Sequence, residues 1–494
     1  MSGDTVAVTG WGRTAPTAAR LIRPRSYEEA AAAVRDCGVR GAVPRGLGRA
    51  HGDAAQNAGG AVLDMTGLDR IHVVDASEGI VLCDAGVSLR RLTDVLLPLG
   101  WFVPVTAGTR RVTVGGAIGA DLHGRNHHVS GSFSRHVLSL ELLTADGEVR
   151  TVSPGTPLFE ATAGGMGLTG IILTATFRLL PVETAYLTVD TERAADLDDL
   201  MARLSAGDHR YRYSAARIDL LARGAATGRG VLTRAEHAPL DALGKGTRGW
   251  RHPLSVRPRR LPSTPALVPS VPARVPSLAA RVPSAPALLP GGLPGPAALL
   301  PGGLPGPAAL LPGGLLGPAA VALVNELWFR TAPRARTGEI QRLSAFFHPL
   351  DGMPHRSRLH GRGGSVQYQF VIGHGREEAL HRIVRRLAER RLPSFPAVLK
   401  RFGDAGPGWL SFPAPGWTLT VDIPAALPGL AAFLDELDEA VAAAGGRVCL
   451  AEDSRLRPDL LGAMYPRVAD FRDLRARLDP RGVFVSDLAR RLHL

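Results

Sequence analysis

The stretch VGGAIGADLHGRNHH, residues 114–128, sets two adjacent glycines ahead of a small-residue run and closes on one arginine and three histidines within six positions. Three chemistries are compatible with it: a phosphate cradle, a metal site, or the bed of a flat cofactor. Glycines let backbone N–H groups approach phosphate oxygens or a planar ring, because no Cβ stands in the way. The three histidines lack a partner carboxylate at coordinating spacing, so no metal is expected.

Two further loops have the same character. PRGLGRAHGD (44–53) follows a short apolar strand and adds Arg45 and Arg49, residue types that make charge-assisted bonds to phosphate. AGGMGLTGI (163–171) leads into another strand. None has Rossmann spacing at a helix start, and no Gly-Lys-Ser/Thr of a phosphate-binding loop occurs. Three bare-backbone loops within one domain call for a long, extended ligand, and a dinucleotide has that shape.

Around these loops the pattern is mixed. Ser26 and Glu29 form a capping box ahead of an alanine-rich helix that stops at Gly38. AVLDMT, IHVVD and IVLCDAGV read as short strands, Ser88–Leu97 as an amphipathic helix stopped by Pro98 and Gly100, and Asp146-Gly147 as a hairpin turn. The fold class is therefore α+β, with a ligand-binding domain over 1–185. Strand and helix alternate over 186–455, predicting a second domain whose sheet is covered by helices, and 456–494 is expected to return to the first domain. Within the second domain, 252–320 is rich in Pro, Ala, Leu, Gly and Ser, and LLPGGLPGPAA repeats every eleven residues from Leu288. Proline and glycine at that density forbid regular structure, so a disordered insertion is expected.

Composition bounds the function. At 494 residues the chain exceeds one ordinary core. Three widely spaced cysteines suggest no disulfide framework. The net charge of +13 is almost wholly arginine, since only Lys245 and Lys400 are lysines. No helix-turn-helix, zinc-finger or RNA-binding signature accompanies it, so no nucleic acid is expected, while attraction to an anionic membrane surface stays open. The N-terminus has no apolar core of signal-peptide length and no run of eighteen apolar residues occurs, which predicts a cytoplasmic or membrane-peripheral protein.

The segments TGWGRTAP, RGLGRAHGDAAQN, GTRRVTVGGAIGADLHGRNHH, GSFSRHV, GGMGLTGII, ELWFR, FFHPLD, QYQFVI, LSFPAPGW, AEDSR and SDLARRL, in this order, resemble the vanillyl-alcohol-oxidase type of flavoproteins. Within it they are most similar to the branch that oxidises polyprenylphosphoryl ribose in arabinan biosynthesis. The resemblance covers nearly the whole chain apart from the low-complexity insertion. It implies an FAD-binding domain of two subdomains and a substrate domain covering the flavin, and so answers the opening stretch as a flavin bed. By the same resemblance the pyrophosphate lies along Arg45, Gly46, Leu47, Gly48 and Arg49, and Ala50 and His51 also bind the cofactor. Gly108, Thr109, Thr113, Gly115, Gly116, Gly119, His123, Asn126 and His127 line the cofactor, and Gly165, Gly170 and Ile171 approach its adenosine half. Arg49 stands where covalent relatives carry their tethering histidine, which implies noncovalent FAD. His51 stands where close relatives carry tyrosine, and a covalent tether through it is the alternative kept.

The implied reaction is oxidation of the sugar 2′-hydroxyl, with a separate NADH-dependent short-chain reductase subunit completing an epimerisation. His123 is the first candidate for proton handling, with Lys400 and Glu452 completing the catalytic set. Arg125, Phe347, Gln367, Gln369, Thr418 and Thr420 match pocket positions, where relatives carry lysine for Arg125, tyrosine for Phe347, asparagine for Thr418 and cysteine for Thr420. Glu452 replaces a lysine. A carboxylate there opposes an anionic reduced flavin, or else serves as the general base. Two alternatives stay open: an alditol or aldonolactone oxidase, and an inactive flavin-binding subunit.

Overall fold

In a computed structural model of the chain, residues 3–243, 254, 317–348, 351, 363–394 and 396–494 are described. Local signals place the first elements. Ser26 is extended and its side chain accepts the Glu29 N–H, opening the helix Tyr27–Arg35. Glu29 reaches back to the Arg25 N–H, one residue further than an ideal capping box. Ser88 caps Leu89–Leu96 in the same way, and Gly100, left-handed at φ 81°, ends the short turn that follows.

Nineteen strands are described: β1 Asp4–Val8, β2 Thr17–Ile22, β3 Ala42–Arg45, β4 Ala61–Asp64, β5 Ile71–Asp75, β6 Ile80–Asp84, β7 Trp101–Phe102, β8 Val137–Leu143, β9 Val149–Val152, β10 Ile171–Arg178, β11 Leu180–Pro181, β12 Tyr186–Ala194, β13 Tyr213–Ile218, β14 Gly230–His237, β15 Ala335–Arg342, β16 Ser365–Gly373, β17 Ala397–Phe402, β18 Gly416–Pro424 and β19 Arg447–Val448. They build a mixed sheet ordered β1-β2-β4-β3, an antiparallel sheet ordered β5-β6-β10-β8-β9, a short β11-β7 pair, and an antiparallel sheet of eight ordered β15-β12-β14-β13-β17-β18-β16-β19. The architecture is α+β.

Successive side chains of a strand point to opposite faces, and the eight-stranded sheet uses this to separate two tasks. Ala216, Ile218, Leu399, Leu419, Val421, Ile423, Tyr368, Phe370 and Ile372 are buried in one core with apolar residues of the helices Leu197–Gly207, Glu377–Glu389 and Leu430–Ala443. Their neighbours Ala215, Arg217, Val398, Lys400, Thr420, Asp422, Gln367 and Gln369 belong to the wall of a cavity.

After the second domain the chain comes back to the first sheet. Phe484 bridges Ala42 in parallel, the Asp487 N–H donates to Gln56 O, and Arg490 donates to Asn57 Oδ1. The insertion assigned to 252–320 falls outside the described residues except for Leu254 and residues 317–320. There the sequence reading needs one correction: a helix, Pro318–Thr331, begins inside the assigned insertion, with Pro318 in its first turn. Proline costs nothing there because the first N–H groups of a helix have no intrahelical acceptor.

Candidate active site

The three glycine loops and the polar face of the eight-stranded sheet enclose one cavity of about 1320 Å³. Thr113 caps the short helix Val114–Gly119 by accepting the Gly116 N–H, which presents the Gly115–Gly119 backbone to the cavity. The glycines of the wall fall into two kinds. A Cβ on Gly46 would stand 2.2 Å from Thr113 Oγ1, and one on Gly115 2.9 Å from Ala85, so the protein itself requires both bare. At Gly108 a Cβ meets no atom within 4 Å, and at Gly119 only Gly167 N at 3.9 Å. Protein packing does not demand those two, and bare backbone there leaves room for a ligand to lie close. That cradle, long and bare at its floor, fits FAD.

Most of the sequence-assigned residues meet at this wall: Arg45 to His51, Gly108, Thr109, Thr113, Gly115, Gly116, Gly119, His123, Arg125, Gly170, Ile171, Phe347, Gln367, Gln369, Lys400, Thr420 and Glu452. Four do not. Asn126 is buried behind it, donating to Pro104 O, and His127 packs 4.4 Å from the Phe402 ring while its Nδ1 accepts the Gly403 N–H. Gly165 lies against Ala161 O and Phe471, leaving its loop represented by Met166, Gly167 and Gly170. Thr418 is fully buried and reaches the site only through Gln369, whose Nε2 donates to its hydroxyl. Arg45 also departs from a phosphate-gripping role. Its guanidinium donates to Thr9 O and Ala55 O, which fixes the loop so that backbone is offered to the ligand.

Sequence reasoning missed Trp11, Arg217, Trp328, Asp351, Asp422 and Cys449. Trp11 lies 3.8 Å under the Arg49 guanidinium, Asp351 accepts from Thr109, and Asp422 accepts from Gln367. Trp11, Trp328 and Asp351 lie within the quoted segments TGWGRTAP, ELWFR and FFHPLD but were assigned no role there. Asp422 and Arg217 were nonetheless legible by alternation, each two residues from an assigned or cavity-facing position.

At the centre of the sheet face, Gln369 Nε2 donates to His123 Nε2 at 2.9 Å and to Thr418 Oγ1 at 3.2 Å. The His123 ring packs against Phe402 and Phe412. Burial, with the nearby Lys400 charge, holds its pKa well below the ordinary histidine value, so the ring is neutral. Burial and the neighbouring Arg125 bring Lys400 down to about 8, and burial brings Arg125 to about 10. No carboxylate among the described residues makes an ion pair with either cation. The three histidines of the opening stretch serve different partners, since His128 bonds Tyr211 O.

Two residues that the sequence reading assigned separately, His51 and Glu452, meet in space. Glu452 Oε2 lies 2.5 Å from His51 Nδ1 and 3.4 Å from the His51 N–H. Gly52 makes this possible: it lies so close to the Asp453 carbonyl that a Cβ would stand 1.6 Å from the oxygen. Arg491 fastens the same junction from the C-terminal helix, pairing with Asp53 at 2.8 Å and Asp453 at 3.0 Å.

Comparison with known proteins agrees with this geometry. A family model described as an FAD binding domain matches residues 18–153, and one described as D-arabinono-1,4-lactone oxidase matches residues 377–492. An uncharacterised protein of Streptomyces coelicolor is 52% identical over 83% of this chain and all of its own length. The decaprenylphosphoryl-beta-D-ribose oxidase of Mycolicibacterium smegmatis is 40% identical over 99% of this chain and 98% of its own. An alditol oxidase of a Streptomyces species is 28% identical over 36% of this chain and 43% of its own. FAD is the cofactor, and the chain is an FAD-dependent oxidoreductase.

Proposed function

This chain belongs to the decaprenylphosphoryl-β-D-ribose oxidase family of FAD-dependent oxidoreductases, and we propose that it oxidises the 2′-hydroxyl of a polyprenylphosphoryl ribose. A separate NADH-dependent short-chain reductase then returns the ketone to the alcohol of the arabinose form. The observation that carries the reading is the continuity of one cavity from the glycine cradle to the polar sheet face. A flavin on the cradle and a sugar against Gln367, Gln369 and Lys400 share that space.

Bound FAD supplies a hydride acceptor. The chain supplies the proton acceptor and the positioning. His123 uses its Nε2 to accept from Gln369 and is enclosed by aromatic rings, which makes it a wall of the sugar site. His51, in the same cavity wall and backed by Glu452, is the proposed acceptor of the hydroxyl proton. With Nδ1 donating to Glu452, its acceptor lone pair is on Nε2, and the carboxylate stabilises the imidazolium that forms. On this reading Glu452 orients and charges the base and replaces the lysine of relatives by a different device.

Anaerobic mixing with a prenylphosphoryl ribose tests the assignment. The flavin absorbance is expected to bleach in a single turnover. A second reading, an alditol or lactone oxidase, is favoured by the match of residues 377–492 to the lactone-oxidase model. It predicts bleaching by a soluble polyol and peroxide release in air, and a flavin that stays oxidised with every alcohol would leave only a binding subunit.

A further inference from the structure

Besides Lys400 on β17, the eight-stranded sheet carries a second cation on its cavity face, Arg217 on β13. Arg217 on β13 pairs with Val231 on β14 and with Val398 on β17. Val398 faces Thr420 on β18, which faces Gln369 on β16. These residues form one row across the sheet, all part of the cavity wall. At ~4.8 Å per strand, Arg217 stands about 14 Å from Gln369, and so from the sugar site.

Its surroundings are built. The Arg217 guanidinium lies 3.9 Å over the Trp328 ring, and its Nη2 donates to Asn325 Oδ1 at 3.3 Å. Asn325 is buried and held in turn by donating to Asp219 Oδ1. Asp219 also takes two bonds from Arg229, so its charge is largely answered by another cation. Val231, Val398, Pro396, Trp328 and Pro333 make this end of the cavity apolar. A guanidinium stacked on an indole there favours one ligand chemistry: a phosphate oxygen pair, matched by its planar fork, attached to an apolar chain. The helix that supplies Trp328 also exposes Leu323 and Leu327 one turn apart on its outer side.

We propose that Arg217, stacked on Trp328, is the phosphate subsite for a lipid phosphodiester, fixing which way the substrate enters: sugar inward to Gln369, phosphate at Arg217, lipid outward over Trp328. The inference rests on the lipid-phosphosugar reading above, yet its test does not require turnover. Farnesyl phosphate, farnesol and inorganic phosphate are titrated into the FAD-loaded protein, with binding read by calorimetry and FAD content and thermal midpoint as controls. Wild type is expected to bind farnesyl phosphate well above either half-molecule. Arg217→Leu weakens farnesyl phosphate by about tenfold or more while farnesol is unchanged. If Arg217→Leu loses FAD, Arg217→Gln, which can still bond Asn325, gives the same comparison. Farnesyl phosphate binding equally to wild type and the neutral variants overturns the subsite, as does inorganic phosphate binding as tightly as farnesyl phosphate. Arg217-dependent binding together with a flavin that prenylphosphoryl ribose cannot reduce supports the subsite and overturns the reaction.

Discussion

At the scale of single residues, the fold couples two site positions that lie far apart in the chain. His51 and Glu452 are 401 residues apart in sequence, and neither position alone suggests the other. Each substitution was visible in the sequence; their contact was not, because a long-range pairing leaves no local periodicity or spacing. The glycine loops were the opposite case. Bare backbone at Gly108 and Gly119 is a demand written into the residue itself. If His51 takes the proton with Glu452 behind it, His51→Ala slows flavin reduction per bound FAD by about 10²–10⁴-fold, and Glu452→Gln slows it by less. Single-turnover reduction of both variants at the wild-type rate would contradict the assignment.

At the scale of elements, alternation along β13, β16, β17 and β18 places apolar side chains on helices and polar ones on the cavity, and this was legible wherever a strand was recognised. Gln367 and Gln369 share a face because they are two apart. Strand order was not legible, since β13 and β17 are neighbours across more than 170 residues, including the whole insertion. The same alternation sets Lys400 in the cavity wall beside Arg125, where it titrates near pH 8 instead of its usual 10.5. Between these values the unfolded chain binds more protons than the folded one, so this group makes stability rise with pH. Lys400→Met removes the charge. Chemical denaturation is expected to show the variant more stable than wild type at neutral pH, by up to about 3 kcal/mol, with the gap closing as pH climbs from 8 to 10.5. A gap that stays constant or widens with pH would show that Lys400 carries no such cost.

At the scale of the whole molecule, the C-terminal segment ties the halves together. Arg491 bonds Asp53 behind the first glycine loop and Asp453 beside Glu452, while Phe484 extends the first sheet at Ala42. The cradle and the sheet face are thereby held opposite each other. Sequence pattern set the insertion's end slightly late, because the helix Pro318–Thr331 starts in the same alanine-rich, proline-led composition as the repeat before it.

The central claim, that the cavity exists to hold FAD on a bare-backbone floor, is tested most directly by the FAD content of purified wild type and Gly119→Leu. Wild type is expected to carry one acid-releasable FAD per chain. The variant, whose new Cβ meets no protein atom closer than Gly167 N at 3.9 Å, is expected to fold with an unchanged thermal midpoint in the FAD-free form yet retain little flavin. Folded wild type that takes up no FAD, or a variant that holds it as well as wild type, would contradict the account.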